Sequence, residues 1–209
     1  MNGGDLERGL ASLRKRETGL RIMLGLYLAC TTAALFLWGT VIGQGLDQNG
    51  NQPLVLAAGV SGGLYAILFV ASIVAVCLWV HRAHANLFAA GVQNLTFKPN
   101  LAVGWYFVPF AFWFKPFQAM QELWKASHQG EEDSSKRGGR KLILWWACWI
   151  IGNMIANVSL KRGDWVSPIT TLDLAGYAFH IVAAAALLLI TRAITQAQSS
   201  EMSVRHAFA

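Results

Sequence analysis

Long uninterrupted runs of apolar residues dominate the pattern of hydrophobic and polar positions along this chain. Four of these runs carry no charged residue and cover residues 22–42, 54–80, 142–160 and 174–191. A helix needs about 20 apolar residues to cross the hydrocarbon of a bilayer. The pattern therefore predicts an all-α membrane protein with four transmembrane helices.

A fifth apolar segment, residues 101–114, is shorter and contains Pro109. Its length and its proline favour a re-entrant or interfacial segment over a full crossing. Residues 116–128 follow it and begin with Pro116, a residue well suited to start a helix. The apolar residues of this stretch recur at helical spacing, which predicts an amphipathic helix lying at the cytoplasmic membrane surface. They are Phe117, Met120, Leu123 and Trp124.

Basic residues are distributed unevenly around the four runs. With four spans, only Lys161 and Arg162 fall on one side, and the remaining lysines and arginines fall on the other. The positive-inside rule then places both termini in the cytoplasm. We divide the chain into a basic cytoplasmic segment (1–21), a single membrane domain (22–191) and a cytoplasmic tail (192–209). A full crossing by the short fifth segment would nearly abolish this asymmetry, so four spans are favoured over five.

Composition and charge narrow the classes of partner and cofactor. Charged residues make up 13% of the chain, against roughly 25% in soluble domains. The net charge of +6 is gathered at the ends of the apolar runs, which favours anionic lipid over nucleic acid. The three cysteines, Cys30, Cys77 and Cys148, all lie inside apolar runs. We therefore expect no zinc site, no disulfide and no cofactor.

Small residues on the first two spans suggest close helix packing. Gly39 and Gly43 form one G-x-x-x-G step, and Gly59 and Gly63 form another. Such steps allow two helices to approach closely. We favour packing within the chain over dimerisation, because a multi-span protein offers internal partners.

Polar residues inside the spans are costly in a bilayer and form a second group of candidates. They are Ser61, Asn153, Asn157 and His180. Asn153, His180 and Ser61 fall at similar depth, which suggests a small polar cluster. Structural hydrogen bonding between helices is favoured over a ligand or proton site.

The stretch from Trp79 to Trp124 carries the most distinctive motifs. It opens as W-x-x-R-A-x-x-N-L and places Arg82 just past the second span, where its guanidinium can reach a lipid phosphate. It continues as F-x-P-x-x-A-V-G-W-x-F-V-P and ends as K-P-F-Q-A-M-x-E-L-W. The candidate interface residues are Trp79, Arg82, Asn86, Pro99, Gly104, Trp105, Pro109, Lys115, Pro116, Met120, Glu122 and Trp124.

Two local expectations follow from this stretch. Trp79, with Trp145 and Trp146, falls at the predicted inner boundary and is typical of an aromatic belt. An ion pair between Arg82 and Glu122 would fix the interfacial helix to the end of the second span. The alternative is two separately solvated charges.

These motifs resemble a bacterial integral-membrane family known only as domain of unknown function 4328. The resemblance covers about residues 54–124 strongly and the last two spans loosely. It implies a location in the bacterial cytoplasmic membrane, but it implies no reaction. This chain has Phe112 and Lys115 where the family pattern has Asn and Arg. A lysine lacks the planar fork of an arginine, so a bidentate phosphate contact at that position is expected to be weaker.

The sequence contains no Ser/His/Asp set, phosphate loop or H-E-x-x-H motif. We therefore expect a non-enzymatic module at the cytoplasmic membrane face that acts as a scaffold, a sensor or a binder of a partner or lipid. Its expected partners are anionic head groups and a second copy or another membrane protein. The alternative is a small oligomeric transporter or channel.

Overall fold

The computed structural model describes residues 3–45, 52–128, 132–161 and 169–207. The ends of the predicted N-terminal segment and tail, and parts of the connecting loops, lie outside these residues. Every regular element in the described part of the chain is helical. The helices are α1 (Gly3–Gly43), α2 (Gln52–Ala89), α3 (Pro99–Gly104), α4 (Lys115–Ser127), α5 (Glu132–Lys161) and α6 (Thr171–Ala207), with two 3₁₀ turns at Trp105–Phe107 and Ala111–Trp113.

Four of these helices are long and apolar enough to cross a membrane: α1, α2, α5 and α6. Each of the four predicted spans lies inside one of them. Because a bilayer offers no water to backbone groups, a continuous helix is the form that satisfies them within each span. The predicted fold class is confirmed, and the chain is a multi-pass membrane protein.

The helices continue well beyond the predicted spans. α1 begins at Gly3, so this helix includes nearly all of residues 1–21, the basic segment that was predicted to precede the first span. One side of this extension is buried, with a spacing of three and four residues that fits a helix packed on its neighbours. The buried residues on this side are Leu10, Leu13, Glu17, Leu20 and Leu24. α6 likewise continues through most of the predicted tail, as far as Ala207.

The chain divides into two compact units. The first, here called the motif unit, contains residues 1–22, 73–143 and 187–209. The second, here called the span unit, contains residues 23–72 and 144–186. All the motif residues named above belong to the motif unit, and the four polar residues predicted inside the spans belong to the span unit.

The motif unit has an apolar core built from several helices. Its fully buried side chains come from both ends of the sequence and from α2 and α4, so burial holds distant segments together. They include Leu13, Trp79, Leu87, Met120, Leu123, Ile190 and Ile194. The apolar side of α4 is therefore occupied by protein. Its position at the membrane surface stays a prediction.

The short apolar segment folds as α3 and the two 3₁₀ turns. Pro99 occupies the first turn of α3, and Gly104 ends it. Phe110 lies between the two turns with φ +62°, a strained conformation for a bulky residue that costs roughly 1–3 kcal/mol. Large apolar side chains of this segment are exposed, and Phe110 has 83% of its surface accessible. The others are Leu101, Phe107, Val108, Trp113 and Phe114.

Two predictions about packing are wrong. Gly59 and Gly63 are exposed, and a Cβ added at either would meet nothing within 4 Å, so they do not pack against another described helix. Trp79 and Trp145 are buried inside the protein, whereas a belt residue faces the bilayer. In both cases the sequence pattern did not show which side of the helix faces protein.

Gly138 marks a close approach of α5 to α4. A Cβ added there would lie 2.0 Å from Nε1 of Trp124, while a Cβ at Gly139 would meet nothing within 4 Å. We expect Gly138→Ala to lower the free energy of unfolding by about 1–3 kcal/mol, because the indole ring must shift in a packed core. Thermal unfolding in detergent measures this change. Gly139→Ala is the matched control and is expected to be neutral or slightly stabilising, and equal behaviour of the two variants would contradict the packing described here.

Candidate functional site

A hydrogen-bonded contact between α1 and α2 lies at the centre of the motif region. Arg82 donates from Nε and Nη2 to Oδ1 of Asn86, at 2.9 and 2.6 Å. Asn86 donates in turn from Nδ2 to the carbonyl oxygen of Gly9, at 3.3 Å. A Cβ at Gly9 would lie 2.2 Å from Nη2 of Arg82. Any larger residue at this position would therefore require the Arg82 and Asn86 side chains to shift.

A second guanidinium, that of Arg16, binds α2 one helical turn before Arg82. Arg16, on α1, donates from Nη1 to the carbonyl oxygen of Leu78 at 2.6 Å. Leu78 precedes Arg82 by one helical turn, which is a rise of about 6 Å along α2. The two positive charges repel each other, and neither group forms an ion pair with a carboxylate of the described residues. The pair that does form in that part of the chain is Arg8 with Asp5.

Polar side chains of α6 connect it to α2 and α4. Gln198 is fully buried and donates from Nε2 to the carbonyl oxygen of Ala83 at 3.2 Å and to Oγ of Ser127 at 3.0 Å. Trp79 donates from Nε1 to Oγ1 of Thr195 at 3.1 Å. These contacts hold the three helices in one arrangement.

Glu122, on α4, binds the loop that precedes α3 and so holds this loop against α4. Its Oε2 accepts from the backbone N–H of Thr96 at 2.7 Å, and its Oε1 accepts from that of Phe97 at 3.0 Å. Charge-assisted hydrogen bonds of this kind are about twice as strong as neutral ones. The ion pair with Arg82, one of the two alternatives left open by the sequence, does not form. Glu122 binds these backbone N–H groups, and Arg82 binds Asn86.

The beginning of α4 places a cation among aromatic rings. Lys115 Nζ lies 5.7 Å from the ring centroid of Phe97 and 5.8 Å from that of Trp105. Both distances fall within the range of cation–π attraction. Pro116 follows in the first turn of α4, where its missing N–H is not needed. The exposed apolar segment therefore ends at a positively charged group.

Tyr106, a half-buried residue of the same segment, has a buried hydroxyl oxygen. This oxygen has no hydrogen-bond partner among the residues that the structure describes. Burial raises the pKa of this phenol above its ordinary value, so the group stays neutral. It has no evident structural use for its O–H.

The other residues of the motifs lie either against protein or at the surface. Met120 and Trp124 are buried on the protein side of α4, and the Trp124 ring stacks on His128 with 4.3 Å between centroids. Pro109 is exposed next to Phe110. His81, in the opening motif, shares a hydrogen bond with Oδ1 of Asn100 at 2.9 Å.

The polar residues of the span unit do not form the predicted cluster. Ser61, Asn153 and Asn157 donate to the carbonyl oxygens of Ala58, Trp149 and Asn153 in their own helices. Local bonds of this kind satisfy a polar side chain where water is absent. The predicted hydrogen bonding between them is therefore wrong.

His180 alone of that group reaches another helix. Its Nδ1 lies 2.8 Å from the hydroxyl oxygen of Tyr65, on α2. Its ring also packs against Gly152, where a Cβ would lie 2.8 Å from Nε2. His180 thus connects two helices of the span unit, which is the structural role favoured from the sequence.

Several residues of the site were missed by sequence reasoning. Gly9, Arg16 and Gln198 gain their importance only from partners that lie far away in the chain. Glu17 carried a signal, since it falls on the apolar stripe of α1 between Leu13 and Leu20. Reading that stripe would have predicted a helix through the N-terminal segment.

Comparison with known proteins returns a single assignment. A family model described as Domain of unknown function (DUF4328) matches residues 49–197. No curated protein and no solved structure matches the chain. The matched range includes Arg82, Asn86 and Glu122, whereas Gly9 and Arg16 precede it.

The bond between Tyr65 and His180 should stabilise the span unit measurably. We expect Tyr65→Phe to lower the free energy of unfolding by about 1 kcal/mol, because it leaves both ring nitrogens of His180 without a partner. Thermal unfolding in detergent is the measurement. Tyr106→Phe is the matched control and should be neutral or slightly stabilising, since its hydroxyl has no partner to lose. Unchanged stability of Tyr65→Phe would show that the bond contributes nothing.

Proposed function

Because this chain belongs to the DUF4328 family, whose function is unknown, we propose a function from its own geometry. The chain is a non-enzymatic membrane module that binds anionic lipid at its cytoplasmic face. The observation that carries this proposal is the exposed apolar segment of residues 107–114, which continues directly into Lys115. An exposed aromatic patch next to a cation suits the boundary between hydrocarbon and anionic head groups.

The basic surface of the motif unit supports the same proposal. The motif unit, which contains the apolar segment, also carries exposed lysines and arginines. Each basic group near an anionic surface adds about 1 kcal/mol of attraction. The exposed residues are Arg14, Lys15, Lys98, Lys125, Arg140 and Lys141. An excess of exposed positive charge of this kind favours an anionic lipid surface over an apolar protein partner.

The hydrogen bonds of three polar side chains in the motif unit support a binding role over catalysis. Asn86, Glu122 and Gln198 all bind backbone groups of other segments. Such contacts hold a surface in shape but leave these side chains engaged. A rigid face that presents charge and aromatic groups is what a lipid-binding module needs.

Lipid that copurifies with the protein tests this proposal. We expect nanodiscs formed directly from membranes to be enriched in anionic lipid around the protein, as measured by mass spectrometry against the bulk membrane. Replacing Lys98, Lys115 and Lys125 by Gln should reduce the enrichment, by at most about fivefold for each charge removed. Lys161→Gln, an exposed lysine of the span unit, is the control and should not reduce it. A lipid composition equal to that of the bulk membrane would overturn the proposal.

A small oligomeric transporter or channel is the second candidate. It is favoured by the exposed Gly59 and Gly63 face of α2, which is available to another copy of the chain, and by the His180–Tyr65 bond inside the span unit.

Ion flux into proteoliposomes separates the two functions. If the chain is a lipid-binding module, flux should not exceed that of empty vesicles, and His180→Leu should change nothing. Saturable flux that His180→Leu abolishes would establish transport instead. Empty liposomes and the Tyr106→Phe variant serve as controls.

A further inference from the structure

We propose that Arg16 and Arg82 together form a binding site for the phosphate of one anionic lipid. This inference rests on the proposed lipid-binding function and assigns it a specific site. It differs from general attraction to the basic surface, because it requires two particular guanidinium groups to act on one phosphate.

The positions of the two side chains are fixed by the contacts described above. Arg82 is held by Asn86 through Nε and Nη2, and Arg16 is held by the carbonyl oxygen of Leu78 through Nη1. These bonds leave Nη1 of Arg82, together with Nε and Nη2 of Arg16, without a partner among the described residues. Phosphate oxygens match several guanidinium donors at once.

The charge balance of the site calls for an anion. Both guanidinium groups are partly exposed, and their charges repel each other. Glu17 follows Arg16 in sequence, but it lies on the buried stripe of α1 and forms no ion pair with either group. Glu122 is bound to backbone N–H groups. A phosphate between the two arginines would replace their repulsion by attraction.

The surface beside the site indicates that the phosphate belongs to a lipid. Val74 and Leu78 lie two turns and one turn before Arg82 on the same side of α2, and both are exposed. Exposed apolar side chains that end at a guanidinium suit a molecule with an acyl chain and a phosphate. A free phosphate ion would make no use of this apolar surface.

The test is a titration of phosphatidylglycerol into the full chain, held in phosphatidylcholine nanodiscs, with bound lipid counted by native mass spectrometry. We expect wild type to bind one phosphatidylglycerol saturably. Arg16→Lys should weaken this binding by about tenfold, because a lysine cannot make the two parallel hydrogen bonds to one phosphate that Nε and Nη2 of Arg16 can make. Arg82→Lys should weaken it by a similar factor, because a lysine loses the two hydrogen bonds to Asn86 that orient the guanidinium.

Arg14→Lys is the matched control. Arg14 is exposed on the same helix, but two residues from Arg16 it points about 200° away around the helix axis. It should bind phosphatidylglycerol as wild type does. Thermal unfolding of each variant checks that it is folded, and Arg16→Lys provides the result if Arg82→Lys fails that check.

The outcomes separate this site from the wider function. Equal, small losses in all three variants would overturn the two-arginine site and leave a lipid-binding surface in place. No phosphatidylglycerol bound to wild type would overturn both. A competition with inorganic phosphate tests whether the ligand is a lipid. If inorganic phosphate displaces phosphatidylglycerol as effectively as an equal concentration of the lipid, the acyl chains add nothing to binding and the assignment to a lipid is overturned.

Discussion

The absence of water in the hydrocarbon is the constraint on which the arrangement of polar contacts depends. In the span unit, Ser61, Asn153 and Asn157 satisfy themselves on carbonyl oxygens of their own helices. Such bonds form within one helix, so they do not depend on how that helix packs against others. In the motif unit, by contrast, Asn86 and Gln198 reach across to other helices. The span unit also has side-chain hydrogen bonds between helices, such as that of Tyr65 with His180, but in the motif unit such bonds are made by the motif residues themselves.

Glycines allow these contacts to form at short range. Gly9 admits the Arg82 and Asn86 side chains, Gly138 admits the indole of Trp124, and Gly152 admits the imidazole of His180. In each case a large polar or aromatic group packs directly against a helix backbone. Gly59 and Gly63 have no such neighbour. This G-x-x-x-G step is a known packing motif, but the close helix contacts described here are made at other glycines.

The sequence predicted the spans because hydropathy depends on local composition alone. The length of α1 was not predicted, because the many basic residues of this segment indicated a separate cytoplasmic stretch. The spacing of Leu10, Leu13 and Leu20 nevertheless fits one side of a helix. The sequence could not predict the contact of Gly9 with Asn86, because residues 77 positions apart meet only through the tertiary fold. The role of Glu122 was lost for a related reason. A carboxylate can satisfy an arginine or backbone N–H groups, and only the path of the loop decides between them.

This choice of partner has a consequence for charge. An ion pair between Glu122 and Arg82 would have neutralised the charge of Arg82 and occupied its N–H donors. Binding of Glu122 to the N–H groups of Thr96 and Phe97 instead uses the carboxylate to order the loop. Asn86, a neutral side chain, takes the place of a counter-ion at Arg82. It orients the guanidinium without cancelling its charge, so the full positive charge stays near the end of α2. A neutral orienting partner is what a site for an external anion requires, whereas a carboxylate there would compete with that anion.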